Sequence, residues 1–234
     1  MAADFSGIRK VIPPVNEPIR SYAPGSPEKA SLKARLASMA GEVVDIPLII
    51  GGKEIRTGDL GHAVMPHKHK HVLATYHHAR PKDVVAAVAA AQAAKAEWAS
   101  WAWEDRAAVF LKAAELLATT WRDTINAATM LNQSKTVYQS EIDAACELID
   151  FWRFNVGFAR ELMTEQPLST TATWNQTDYR ALEGFIYAVS PFNFTAIGGN
   201  LTTTPALMGN TVIWKPAGTA MLGAYYTMKL LEAA

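Results

Sequence analysis

Three hydrophobic rhythms succeed one another along the chain. Over residues 47–76, short β-branched runs (Leu48-Ile49-Ile50, Val72-Leu73) alternate with Gly51, Gly52, Gly58, Asp59 and Gly61, which predicts short strands and hairpins in a small β layer. Over residues 81–160, apolar positions recur at three and four among strong helix formers. Starts at Pro81-Lys82-Asp83 and near Glu104-Asp105 predict three or four successive helices. The third rhythm runs from an apolar stretch at 185–189, through a turn at Ser190-Pro191 and a helical stretch to Met208, to a second apolar stretch at 211–214. Strand, helix, strand with near-continuous apolar strands is the pattern of a parallel sheet, which binds ligands at the strand carboxyl ends. A last helix is expected over 220–234.

The flanking segments carry weaker patterns. Residues 11–27 are rich in proline and polar groups and predict an extended arm, followed by a short helix over 31–40. Alternating Thr, Trp and Tyr over 167–182 predict a projecting two-stranded hairpin, a kind of arm that often pairs between subunits. Two parallel strands make little sheet, so further strands beyond Ala234 are expected to complete the layer. No fixed-period repeat is present, which excludes solenoids and propellers.

Composition narrows the function classes. Half of the 234 residues are hydrophobic and 19% charged, a balance suited to a folded soluble chain. Lys plus Arg equals Asp plus Glu, 22 against 22, so no global field favours nucleic acid or an anionic membrane. No apolar run is long enough to span a bilayer. A single cysteine, Cys146, excludes a disulfide framework and a multi-cysteine metal site. With no secretory pattern in the first ten residues, the cytoplasm is the expected compartment, and the glycosylation-like triplets at Asn193 and Asn200 are discounted.

Two positions can carry chemistry. Asn193, in the turn after the first parallel strand, can donate its amide to an oxyanion, or it can simply cap the next helix. Lys215, at the end of the second strand, can hold a nucleotide's ribose or phosphate, or it can be a solvated strand end. Cys146 falls on a helical stripe with Ile142 and Ile149, which predicts a small buried thiol rather than a nucleophile. His67, His69 and His71 share one strand face but lack an accompanying carboxylate or cysteine, so a solvated edge is expected and no metal. Trp98, Trp101 and Trp103 are expected to fill a seam between helices.

The run Glu183-Gly184-Phe185 through Asn193-Phe194-Thr195-Ala196-Ile197-Gly198-Gly199-Asn200, with Pro205-Ala206-Leu207-Met208-Gly209-Asn210 and the strand end at Lys215, resembles the aldehyde dehydrogenase family. Within it the chain is similar to the branch acting on glutamate semialdehyde (1-pyrroline-5-carboxylate). Asn16-Glu17-Pro18, Gly25-Ser26-Pro27-Glu28, Phe110-Leu111-Lys112-Ala113-Ala114, Gln133-Ser134-Lys135-Thr136-Val137 and Glu141-Ile142-Asp143-Ala144-Ala145 extend the resemblance over nearly the whole chain.

That resemblance implies an α/β, aldehyde dehydrogenase-like fold with a partial Rossmann-type parallel sheet, flanking helices and the projecting hairpin. It divides the chain into an arm and short helix (1–46), a small β layer plus helices of the NAD-binding domain (47–166), an oligomerisation-type hairpin (167–182) and the start of the parallel NAD-binding unit (183–234). It implies Asn193 as transition-state stabiliser, Ser190, Pro191, Phe192 and Lys215 as NAD contacts, and Phe194 and Glu147 beside an aldehyde substrate. It also implies a homo-oligomer. The family's cysteine nucleophile and glutamate base are expected beyond Ala234, so that this chain alone should not turn over. One departure is Gly218, where many relatives carry an acid. Another branch of the family, or a non-catalytic binding module, are the competing readings.

Overall fold

The computed structural model describes residues 10–234. An extended segment leads to α1 (Pro27–Ala40), whose start is set by a cap: the Ser26 hydroxyl accepts the Lys29 N–H and Pro27 sits in the first turn, where its missing donor costs nothing. The helix therefore begins ahead of Ser31, because the Ser26-Pro27 signal governs the boundary rather than the apolar spacing.

Five strands follow: β1 (Val44–Ile46), β2 (Leu48–Ile50), β3 (Lys53–Ile55), β4 (Leu60–Met65) and β5 (Lys68–His77). β5 is central to a three-stranded sheet, antiparallel to β4 and parallel to β1, while β2 and β3 form their own hairpin. Gly51 and Gly52 both take positive φ, as a two-residue hairpin loop demands. β1 reaches only Ala74 to Tyr76 on β5, leaving the histidine-rich end beyond it. There His67 meets the Ser134 hydroxyl at 2.8 Å and His71 the Ala40 carbonyl at 2.7 Å, so the two rings are engaged separately.

The helical layer comprises α2 (Pro81–Ser100), α3 (Trp103–Ala118), α4 (Arg122–Gln133), the short α5 (Val137–Ser140), a π-helical turn (Glu141–Cys146) and α6 (Glu147–Thr164). Phe110, Leu117, Leu148, Ile149, Trp152 and Val156 form its core. A second core joins the β layer to α1 and α4 through Leu32, Met39, Ile46, Leu73 and Leu131. Each such side chain contributes roughly 1.5–3 kcal/mol relative to exposure. Trp98 and Trp103 border the first core, and Trp98 Nε1 donates to the Ala206 carbonyl at 2.8 Å, so these two fill a helix seam, whereas Trp101 is exposed at the helix end.

Residues 165–184 correct one expectation. Thr170 and Thr173 exchange backbone hydrogen bonds where the chain reverses, but no strands form over 167–182. Side chains replace the ladder: the Asn175 N–H donates to the Ser169 hydroxyl and the Thr177 N–H to the Gln166 carbonyl oxygen. The alternating pattern has no sheet to pack on, with Leu168 and Trp174 each 91% exposed, and an isolated two-stranded ribbon is marginal in water.

The chain then forms β6 (Ile186–Val189), α7 (Thr195–Leu207), β7 (Val212–Lys215), a 3-10 turn (Gly218–Ala220) and α8 (Met221–Ala233). β6 and β7 are parallel, with Val189 opposite Lys215. Tyr187 and Val189 are exposed on β6. No described helix is long and apolar enough to cross a membrane.

Candidate functional site

The parallel register brings the two candidate motifs to one edge. Beyond the Val189–Lys215 pair, the Ser190 N–H donates to the Lys215 carbonyl at 3.3 Å, so the turn after β6 starts beside the end of β7. Ser190 is buried, and its hydroxyl accepts the indole N–H of Trp214 at 2.9 Å. Pro191 is half-buried and Phe192 exposed, while Lys215 reaches solvent. α7 packs closely against its neighbours. A side chain at Gly198 would crowd Trp214 at 3.3 Å, and one at Gly199 would meet Leu148 at 2.7 Å. These glycines lie within the helix, where they disfavour it by about 1 kcal/mol each, and close packing accounts for them.

Phe194 is the N-cap of α7, and no side chain caps that helix. The Asn193 amide is therefore not spent on capping. It makes no side-chain hydrogen bond to a described residue and sits half-buried just before the helix. The start of α7 is anchored from α4 instead: Thr195 Oγ1 lies 2.8 Å from Thr129 Oγ1 and accepts from Gln133 Nε2 at 2.9 Å.

Two residues outside the predicted set lie beside it. Lys135, just after α4, places its ammonium 3.0 Å from Asp143 Oδ2 and 4.3 Å from the centre of the Phe194 ring. Asp143 is 5% exposed, and burial pushes its carboxyl above the ordinary range although Lys135 and the Ala196 N–H pull it down. Glu147, one turn on, is half-buried. Burial raises its carboxyl too, the charge of Asp143 adds to this, and Lys135 opposes. Lys135 thus touches the Phe194 ring and acts on Glu147 through its charge alone. Asp143 was not among the predicted site residues, and nothing local in the sequence signalled that Lys135 would reach across to Phe194.

Cys146 lies away from this chemistry. It is buried beside Arg122, whose Nη2 is 3.3 Å from its sulfur, and burial followed by the charge of Glu141 pushes the thiol up to about 12. A thiol in that state is a poor nucleophile near neutral pH. Around it runs a separate ion network. Arg122 binds Glu141 and Glu17, and the Arg20 N–H, the Tyr22 hydroxyl and Asn126 Nδ2 also donate to Glu141 at 2.8, 2.8 and 2.9 Å. This network clasps the extended amino-terminal segment. Among the described residues no group of three or more His, Cys, Asp or Glu is placed to hold a metal.

Comparison with known proteins places this geometry. The sequence profile of the Aldehyde dehydrogenase family matches residues 57–234. The delta-1-pyrroline-5-carboxylate dehydrogenase of Agaricus bisporus is 51% identical over 95% of the chain, and the mitochondrial one of Mus musculus 49% over 94%. The chain spans 41% and 39% of the lengths of these two relatives. The crystal structure of the Mycobacterium tuberculosis Delta-pyrroline-5-carboxylate dehydrogenase bound with NAD and cobalamin superposes with a TM-score of 0.97 at 55% identity, covering 98% of this chain and 43% of that one. Profile, relatives and coordinates agree that the chain belongs to the aldehyde dehydrogenase family.

Proposed function

We propose that this chain forms the amino-terminal, cofactor-facing and substrate-facing part of an NAD-dependent dehydrogenase that oxidises L-glutamate γ-semialdehyde, the open form of 1-pyrroline-5-carboxylate, to L-glutamate. The observation that carries this reading is the uncommitted Asn193 amide on the same edge of the parallel pair as Ser190 and Lys215. When an aldehyde carbon is attacked, negative charge gathers on its oxygen, and a fixed neutral donor stabilises that charge without prior solvent reorganisation. Asn193 has the chemistry for that task. Glu147 offers a carboxylate to the substrate's ammonium group, and Phe194 offers an apolar wall to its carbon chain.

The residues present fit NAD. Lys215 presents an exposed ammonium beside the backbone of Ser190, suited to ribose or phosphate oxygens, and Pro191 and Phe192 border the same edge. Gly218 brings no acid to that edge, since a side chain there would displace the Tyr76 hydroxyl, 2.9 Å away. When bound, NAD supplies the hydride acceptor. In this reading residues 183–234 open the cofactor-binding unit, 47–166 support it, and the exposed loop at 167–182 joins subunits of a homo-oligomer. A cytoplasmic setting belongs to the proposal as well; the mouse relative is named as mitochondrial, and fractionation distinguishes the two.

The test is NADH formation from glutamate semialdehyde by this chain as purified and by a version extended with the coding sequence that follows Ala234. Activity in the extended protein alone supports the proposal. Inactivity of the extended protein sinks the substrate assignment, and turnover by the short chain would place the nucleophile at Cys146. In the active form, Asn193→Ala should lower kcat by about 100- to 1,000-fold, about 3–4 kcal/mol.

A further inference from the structure

We propose that Lys135 is a positioning residue for the aldehyde pocket: anchored on the buried Asp143 and seated on the Phe194 ring, it fixes the turn that carries Asn193. The inference rests on the functional reading above and deepens it.

Three observations support it. First, the Lys135 side chain is only 16% exposed, which a lysine rarely accepts unless its charge is engaged. Here one ammonium faces a carboxylate at 3.0 Å and an aromatic ring at 4.3 Å, and a desolvated cation on a ring is held more strongly than an exposed one. Second, the backbone is bent to deliver it. Ser134 ends α4 at φ 53°, a left-handed conformation uncommon outside glycine, and His67 binds the Ser134 hydroxyl. Third, the end of α4 holds the next residue of the turn as well, through Thr129 and Gln133 on Thr195. Phe194 and Thr195 are thus gripped from one helix end, and Asn193 precedes them directly. Lys135 has a charge role too. By pairing with Asp143 it leaves Glu147 as the carboxylate of the pair available to a cationic group on the substrate.

Two readouts test this. In the 234-residue chain carrying 4-fluorophenylalanine at position 194, Lys135→Met should shift the fluorine resonance, and Asp143→Asn should shift it less, because the lysine stays but loses its anchor. In the extended, active protein, Lys135→Met should lower kcat at least tenfold and raise KM for the semialdehyde, with KM for NAD unchanged within twofold. Lys135→Arg should recover part of kcat, since a guanidinium can meet both the carboxylate and the ring. A merely structural lysine would change the folded fraction and leave the kcat and KM of the folded molecules alone. An unmoved resonance, or kinetics within twofold of the parent, overturns the inference. If Lys135→Met does not fold, Asp143→Asn and Lys135→Arg carry both readouts. If the parent protein fails to oxidise the semialdehyde, the functional reading falls, and the fluorine shift alone decides where Lys135 sits.

Discussion

Glu141 and Asp143 stand two residues apart on one π-helical turn, both buried, and their surroundings treat them in opposite ways. Burial pushes Glu141 up, but the Arg122 guanidinium, the Arg20 N–H and the Tyr22 hydroxyl outweigh it and hold the carboxyl below its usual range. Asp143 has Lys135 as its main partner, neither of its oxygens has a well-aligned hydrogen bond among the described residues, and burial wins. The difference separates a compensated buried charge from an undercompensated one. Glu141 is fully compensated and ties the amino-terminal segment to the helical body. Asp143 is left undercompensated beside Phe194 and Glu147, where its lysine can be shared with the pocket. π-Helical turns often occur at functional sites, and this one turns neighbouring acids toward two different sets of partners.

The harshest test of this contrast is Arg122→Met, which strips Glu141 and Glu17 of their shared counterion. Leaving buried charge unpaired costs about 3–5 kcal/mol, so the urea midpoint should fall by a corresponding amount. A loss below about 1 kcal/mol would mean that the clasp is not what holds Glu141. Next come the two neutral amides. Glu141→Gln should destabilise by about 1.5–3 kcal/mol, the range for hydrogen bonds to a charged group, whereas Asp143→Asn should leave stability at neutral pH unchanged or raised. Equal losses in urea denaturation would erase the distinction.

A smaller effect is expected from pH. Glu141 titrates below its ordinary value of 4.5 in the fold, so its contribution is complete above that value and disappears as pH falls through the folded pKa. Asp143 and Glu147 titrate above their ordinary values of 3.8 and 4.5, so the penalty of their charged forms is present at neutral pH and is relieved as pH falls through their raised values. Melting temperature should therefore gain from the second pair in mild acid and lose from Glu141 in stronger acid. Asp143→Asn should flatten the first limb and Glu141→Gln the second. The smallest change is Cys146→Ala, within about 1 kcal/mol of the parent. The Cys146 thiol of the parent should react with Ellman's reagent only after unfolding, and ready labelling of the native protein would contradict its place beside the clasp.

Much of the fold was legible along the chain. The apolar runs at 185–189 and 211–214 mark the parallel strands because consecutive apolar positions are the pattern of a sheet covered on both faces, although Tyr187 and Val189 are exposed here. Spacings of three and four with their start signals located α2 and α3, and Asn193 and Lys215 could be found at the strand ends. The loop at 167–182 misled because alternation reports a preference for a half-buried strand, and that preference acts only where a sheet receives it. Lys135 was visible as a residue in a family-like run, yet nothing near it in sequence pointed to Phe194, 59 positions away.

Sequence alone determined most local conformations outside 167–182, the parallel strand-helix-strand unit, the positions of Asn193 and Lys215 and the buried place of Cys146, since each depends on neighbours within a few residues or on burial period. Tertiary structure decided which buried acid is fully compensated and which is not. That choice depends on Arg122 and the segment around Arg20 meeting one side of the Glu141–Cys146 turn while Lys135 and the head of α7 meet the other. Charges far apart along the chain interact only after folding has brought them within a few ångströms and removed the water between them.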